Sequence, residues 1–86
     1  MSDSRFLFSI SGIAARRFVA SGCAVDVDRL HPGDALLTRF DHFDVLLHCL
    51  EPDRFDIYVE RSYGDCFRDV AIRRAATMTV HVDATE

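Results

Sequence analysis

Histidine and cysteine are the residue types in this chain that could hold a metal ion. Four His and three Cys are present, but His48 and Cys49 are neighbours, and on a strand their side chains point to opposite faces. On an extended chain His42 and His48 would lie about 20 Å apart, at about 3.3 Å per residue. The sequence contains no C-x-x-C pair and none of the recognised zinc-ligand spacings. We therefore predict no metal site and no cofactor.

Carboxylates are more numerous, and pairs of them could serve acid–base chemistry or a magnesium ion. Asp26 and Asp28 would lie about 7 Å apart on one strand face, and further Asp pairs flank turns. The sequence has neither a calcium-binding loop nor a G-x-S-x-G nucleophile turn. It has no Lys for a Schiff base or a Walker-type phosphate loop. An 86-residue chain also leaves little room for a pocket of a few hundred Å³, so we predict no catalytic residues and no enzyme activity.

Arginine supplies every positive side chain, and its planar guanidinium suits phosphate or carboxylate recognition. Arg16 and Arg17 form one cluster, and Arg68, Arg73 and Arg74 form another. The formal net charge of −4 and the pI near 5.4 nevertheless oppose binding to a polyanion. Lys, Asn, Gln and Trp are all absent, which indicates the coding bias of a GC-rich bacterium or its phage. Direct nucleic-acid binding is therefore not expected.

Length and hydropathy predict one domain over residues 1–86. Apolar residues make up 49% of the chain, enough for one small core and too few for two. No apolar run approaches the roughly 18 residues of a membrane-spanning helix, and residues 1–4 do not begin a signal peptide. We therefore predict a cytoplasmic protein without a membrane partner. Three Cys in that setting are expected to be reduced thiols without a structural disulfide.

Period-2 alternation of apolar side chains predicts most of the chain to be β-strand. The alternation of Cys23, Val25 and Val27 with polar or small residues predicts a half-buried strand. The nearly continuous apolar run 45–50 (VLLHCL) predicts a strand covered on both faces. Turn residues recur at intervals of about ten residues. The predicted core consists of Phe6, Phe8, Ile10, Val25, Val45, Leu47, Phe55, Ile57, Val59, Val80 and Val82.

Short strands at this spacing predict a mainly β fold, a small antiparallel sandwich or barrel of five to seven short strands. Two segments fit a helix as well as a strand. If they are helical, the alternative is an α+β fold with short helices near 13–20 and 66–76.

The predicted function is that of a small acidic, non-enzymatic protein-binding domain. Acidic side chains are dense in the central turns, which lie at the surface. They suit a larger protein partner with a basic surface, such as a nucleic-acid-handling protein inhibited by a phage or bacterial protein. The alternative is a β scaffold or assembly module of a cytoplasmic complex that dimerises through an exposed strand. The candidate partner-binding residues are Asp41, Asp44, Asp53, Asp56 and Glu60.

Overall fold

The structure is a computed structural model that describes residues 5–85. Five strands and two α-helices follow one another along the chain, with short 3₁₀ turns at Val27–Arg29 and Arg61–Tyr63. The elements are β1 (Arg5–Ser11), α1 (Ala15–Gly22), β2 (Ala35–Phe40), β3 (Phe43–Glu51), β4 (Arg54–Glu60), α2 (Gly64–Ala75) and β5 (His81–Thr85).

The five strands form one antiparallel sheet in the order β2-β3-β4-β1-β5. Strands β2, β3 and β4 are a meander joined by short turns, whereas β1 lies between β4 and β5. Helix α1 contacts β2 and β4, and helix α2 contacts β4 and β5. The side chains of these helices and one face of the sheet enclose a single core. Among residues 5–85, no helix lies on the opposite face of the sheet.

Phenylalanine rings from the sheet and the helices fill this core. Phe67 of α2 lies 4.9 Å from the ring centroid of Phe8, 5.3 Å from that of Phe40 and 5.4 Å from that of Phe43. Phe18 of α1 stacks on Phe40 at 5.4 Å. Full burial of each such side chain is worth about 1.5–3 kcal/mol. These contacts hold both helices against the same face.

The prediction of a mainly β, antiparallel fold is confirmed, with five strands. Both segments that the sequence left open are helical, as the α+β alternative has it. The strands form one open sheet instead of a two-sheet sandwich or a closed barrel. The reason is that α1 and α2, and not a second sheet, cover the apolar face. No helix among residues 5–85 is both long and apolar enough to cross a membrane.

Most of the predicted core is buried, but one predicted strand is wrong. Val25, Val80 and Val82 are half-buried, and the other eight predicted core residues are buried. Cys23 makes only an isolated bridge to Phe40, and no strand forms over 23–27. The carbonyl groups of Val27 and Leu30 accept hydrogen bonds from the guanidinium of Arg16. Some backbone carbonyl groups of this segment therefore have a side chain as their hydrogen-bond partner, and not a neighbouring strand.

Candidate docking face

The helix-free side of the sheet, called here the open face, carries a row of apolar side chains across four strands. Leu37 of β2 pairs with Leu46 of β3, Leu46 pairs with Tyr58 of β4, and Tyr58 pairs with Leu7 of β1. Leu37 is 75% exposed, and the other three are half-buried. Directly opposed side chains on one sheet face lie about 4.5–5.5 Å apart at Cβ. The four side chains therefore form a contiguous strip, the apolar row.

Strand β3 shows most clearly that the open face is suited to being covered. Val45, Leu47 and Cys49 point into the core and are buried. The alternate residues Leu46 and Leu50 lie on the open face and are half-buried. A strand with apolar side chains on both faces is typical of sheets that are covered on both sides. Within residues 5–85 the helices cover only one side.

Charged side chains flank the apolar row on both sides. On one flank Arg39 pairs with Asp44, at 3.3 Å between Nε and Oδ1, and Arg5 lies opposite Glu60 in the β1–β4 register. The exposed Arg39–Asp44 ion pair adds little stability. The other flank contains Ala35, His48, Asp56, Ser9 and Asp83. The two flanks together thus hold two Arg and four carboxylates.

A groove of about 980 Å³ overlaps the end of the open face that is nearest to Arg5 and Arg39. Leu37, Leu46 and Tyr58 of the apolar row line it, together with the charged side chains of that flank. The 3₁₀ turn after β4 adds Tyr63, whose ring lies edge-on to Phe43 at 6.3 Å. The groove is open to solvent, and its lining combines apolar and charged side chains.

The open face brings together three of the five predicted partner-binding residues. Asp44, Asp56 and Glu60 lie on the flanks of the apolar row. Asp56 accepts a hydrogen bond from the hydroxyl of Ser9 at 3.1 Å. Asp53 lies apart from them in the turn between β3 and β4, where its carbonyl accepts a hydrogen bond from the N–H of Gly12 at 3.2 Å.

Asp41 has a structural role inside the fold. Its carboxylate lies 2.6 Å from a guanidinium nitrogen of Arg74, and both side chains are only about a quarter exposed. Arg74 also donates hydrogen bonds to the carbonyl and hydroxyl of Ser21, and its guanidinium lies over the ring of Phe40 at 5.3 Å. This cluster joins α2, the end of α1 and the β2–β3 turn.

The neighbouring thiol of Cys23 is held in its protonated form, mainly by burial. Burial and then the negative charge of Asp41 raise its pKa to about 11, against an opposing effect of Arg74. Burial likewise raises the pKa of Cys49. Since the thiolate is the nucleophile and the metal ligand, neither Cys23 nor Cys49 is suited to such chemistry at neutral pH. Cys66 is exposed.

The structure divides each of the two arginine clusters between internal and exposed roles. Arg16 donates to the carbonyls of Pro52, Val27 and Leu30, and its guanidinium lies 5.7 Å from the ring centroid of Phe55. Arg16 and Arg74 are thus held by the fold, while Arg17 and Arg73 are exposed. Within the part of the chain that the structure describes, no three His, Cys, Asp or Glu residues converge as a metal site would require.

Sequence reasoning missed the apolar row itself. Leu7, Leu37, Leu46 and Tyr58 share a row only through the pairing register, which the sequence does not specify. The available signal was the nearly continuous apolar run 45–50 of β3, which predicted burial on both faces.

Comparisons with known proteins identify the fold and no family. Neither the protein-family models nor the curated proteins include a match to this chain. Among solved structures, glycine cleavage system aminomethyltransferase T from Bartonella henselae is similar, with a TM-score of 0.86 and 19% sequence identity. The similarity covers 96% of this chain and 25% of that protein. The chain thus spans about a quarter of the length of this neighbour, and at this identity the likeness shows the shared fold alone.

Proposed function

We propose that this protein is a non-enzymatic docking domain that binds a larger protein through the open face of its sheet. The observation that carries the proposal is the apolar row on a helix-free face. An antiparallel sheet facing water normally alternates apolar and polar side chains, and this face carries Leu and Tyr at its centre. Exposed apolar strips with a polar rim mark protein-interaction sites.

The size of the open face supports a modest interface. Five strands about 4.8 Å apart and seven residues long, at about 3.3 Å per residue, project an area of about 450 Å². A standard stable complex buries about 800 Å² on each partner. A partner that forms an interface of standard size would therefore reach beyond the open face, into the groove beside Tyr63.

The charges on the flanks favour a basic partner. Four carboxylates and two Arg border the apolar row. Both Arg lie on the flank of Asp44 and Glu60 and balance its charge, so the excess negative charge is on the flank of Asp56 and Asp83. A complementary surface therefore has an apolar ridge with Arg or Lys on the side that faces Asp56 and Asp83. Such charge complementarity mainly accelerates encounter. A nucleic-acid-handling protein has surfaces of this kind, and a small acidic domain bound there would compete with the nucleic acid and inhibit the partner. The acidic residues Asp44, Asp56 and Glu60 thus remain in the proposed site.

The structural similarity supports the docking role only in general terms. In aminomethyltransferase T the same fold is about a quarter of the chain, so this architecture occurs next to further polypeptide. The shared fold gives no reason to assign that enzyme's activity to this protein.

A site-specific cross-linking experiment tests the proposal. A photo-reactive amino acid at Leu37 on the open face, or at Ile72 on α2 as a control, would be used in bacterial cells. Ile72 is a matched site because it is also an exposed apolar residue, 54% accessible, but it lies on the opposite side of the sheet. We expect a protein cross-linked from position 37 and not from position 72.

The captured protein would then be purified and its affinity measured with Leu46→Asp and Ile72→Asp. Burying a Leu side chain contributes about 1.5–3 kcal/mol, so Leu46→Asp should weaken binding by about 10-fold to 150-fold, with little effect from Ile72→Asp. Replacing Asp44, Asp56 and Glu60 with Arg should lower the association rate at low salt. Equal affinities for the Leu46→Asp and Ile72→Asp proteins would refute docking through the open face.

A further inference from the structure

Strand β2 is one edge of the sheet, and most of its outer side is uncovered. Within the described part of the chain, the only backbone bridge on that side joins Cys23 to Phe40, at the end of the strand. Ala35 and Leu37 are exposed, and Leu36 and Thr38 are half-buried. The uncovered stretch therefore contains four residues without a charge or a proline, which are the devices that commonly protect sheet edges.

Two hydrogen bonds fix the direction of the backbone groups along β2. The N–H of Cys49 on β3 donates to the carbonyl of Asp34 at 2.8 Å, and the N–H of Asp41 donates outward to the carbonyl of Gly22 at 2.8 Å. Backbone groups alternate in direction along an antiparallel strand. Those of Leu36 therefore face β3, and those of Ala35 and Leu37 face outward from the edge.

We propose that this edge pairs with β2 of a second copy of the chain, antiparallel and about a two-fold axis through Leu36. In this register Ala35 of one copy lies opposite Leu37 of the other, and the two residues exchange a pair of hydrogen bonds. The symmetry repeats this pair, which gives four hydrogen bonds. On the open face the small side chain of Ala35 lies beside the larger side chain of Leu37 from the other copy. On the helix side the two Leu36 side chains meet. No charges of the same sign are opposed within the paired stretch.

This interface is isologous and closed, so it joins two copies and does not extend into a fibre. It also makes one continuous sheet from the two subunits, with both open faces on the same side. An interface made of four hydrogen bonds and a short apolar strip buries less surface than the standard interface of about 800 Å² per partner. The dimer should therefore form only at high protein concentration, in the range of about 100 µM or above.

Substituting proline at the two sheet edges provides a matched test. Ala35→Pro removes an outward N–H without removing a hydrogen bond to β3. Ala84→Pro is the control. Backbone N–H and C=O groups point alternately to the two sides of each strand, and following this alternation from β3 through β4 and β1 places the N–H of Ala84 on the outer side of β5. Sedimentation equilibrium should show the average mass of the wild-type protein and of Ala84→Pro rising from 9.7 kDa with concentration, and that of Ala35→Pro remaining constant.

Amide hydrogen exchange provides a second measurement that needs no variant. The amides of Ala35 and Leu37 should become at least several-fold more protected at high concentration, while the amide of Leu36, already bonded to β3, should change little. A constant wild-type mass would overturn the proposal, as would unchanged exchange at Ala35 and Leu37. A dimer that persists in Ala35→Pro but is lost in Leu46→Asp would also overturn it, because the copies would then meet through their open faces.

Discussion

Replacing Gly64 with Ala should destabilise the fold, although Ala is the better helix former. Gly64 is the first residue of α2, is buried, and has an ordinary helical backbone with φ of −59°. A Cβ atom at this position would lie 1.9 Å from Cδ2 and 2.3 Å from Cε2 of the Phe6 ring. Both distances are far inside van der Waals contact, so the ring or the helix must move.

The expected change in the free energy of unfolding of Gly64→Ala follows from two opposing effects. Ala in place of Gly favours the helix by up to about 1 kcal/mol. Overpacking a well-filled core costs about 1–3 kcal/mol, and displacement of Phe6 would also disturb its contacts with Phe8, at 6.2 Å between ring centroids, and with the Arg61 guanidinium, at 5.3 Å. We therefore expect a net loss of about 1–2 kcal/mol in the free energy of unfolding.

Urea unfolding of a double-mutant cycle separates this clash from other effects. The cycle compares the wild type, Gly64→Ala, Phe6→Leu and the double variant, and the smaller, more adaptable Leu should relieve part of the clash. The control is Gly33→Ala, since a Cβ there meets nothing within 4 Å but the φ of +99° strains any L residue. Gly33→Ala should therefore destabilise the protein without coupling to Phe6. A Gly64→Ala protein as stable as the wild type, or a coupling energy of zero with Phe6, would refute this account.

Two further predictions concern the cluster around Asp41. Because the pKa of Cys23 is about 11 in the folded state and 9.0 for an ordinary thiol, the unfolded chain loses this proton first, and the free energy of unfolding should fall by about 2 kcal/mol from pH 9 to pH 11. Urea titrations at stepped pH should show a smaller fall in Cys23→Ala; identical curves would exclude this linkage. Arg74→Met should cost about 1–3 kcal/mol through the lost ion pair and hydrogen bonds, measured by thermal unfolding. Arg73→Met, which removes an exposed pair with Asp69 at 3.0 Å, should cost about 0.5 kcal/mol or less, and equal losses would contradict the structural role of Arg74.

The sequence was informative where one local pattern decided the structure. Phe6, Phe8 and Ile10 alternate without ambiguity, and the strand and its buried face were predicted correctly. Val70 and Ile72 fit a helix or a strand equally well, because short segments satisfy both periods. Tertiary contacts decided the outcome there, since α2 places Phe67 among three other rings.

The candidate site was harder to predict because its parts lie far apart in the chain. Asp44, Asp56 and Glu60 were proposed from charge density alone, and their positions on the open face depend on the pairing of β3, β4 and β1. Asp41 has the same residue type and a similar turn location, but α2 brings Arg74 to it. No local pattern distinguishes a surface carboxylate from one that holds two elements together.

The position of β1 in the sheet has a consequence for the kinetics of folding. Strands β2, β3 and β4 are neighbours in sequence, so their hairpins close at low entropic cost. Ser11 pairs with His81 and Leu7 with Thr85, and these contacts close nearly the whole described length of the chain. Folding rates fall as such non-local contacts come to dominate. The meander should therefore form first, leaving the inner edge of β4 unpaired until β1 arrives, and that interval is when the chain is most exposed to misassociation.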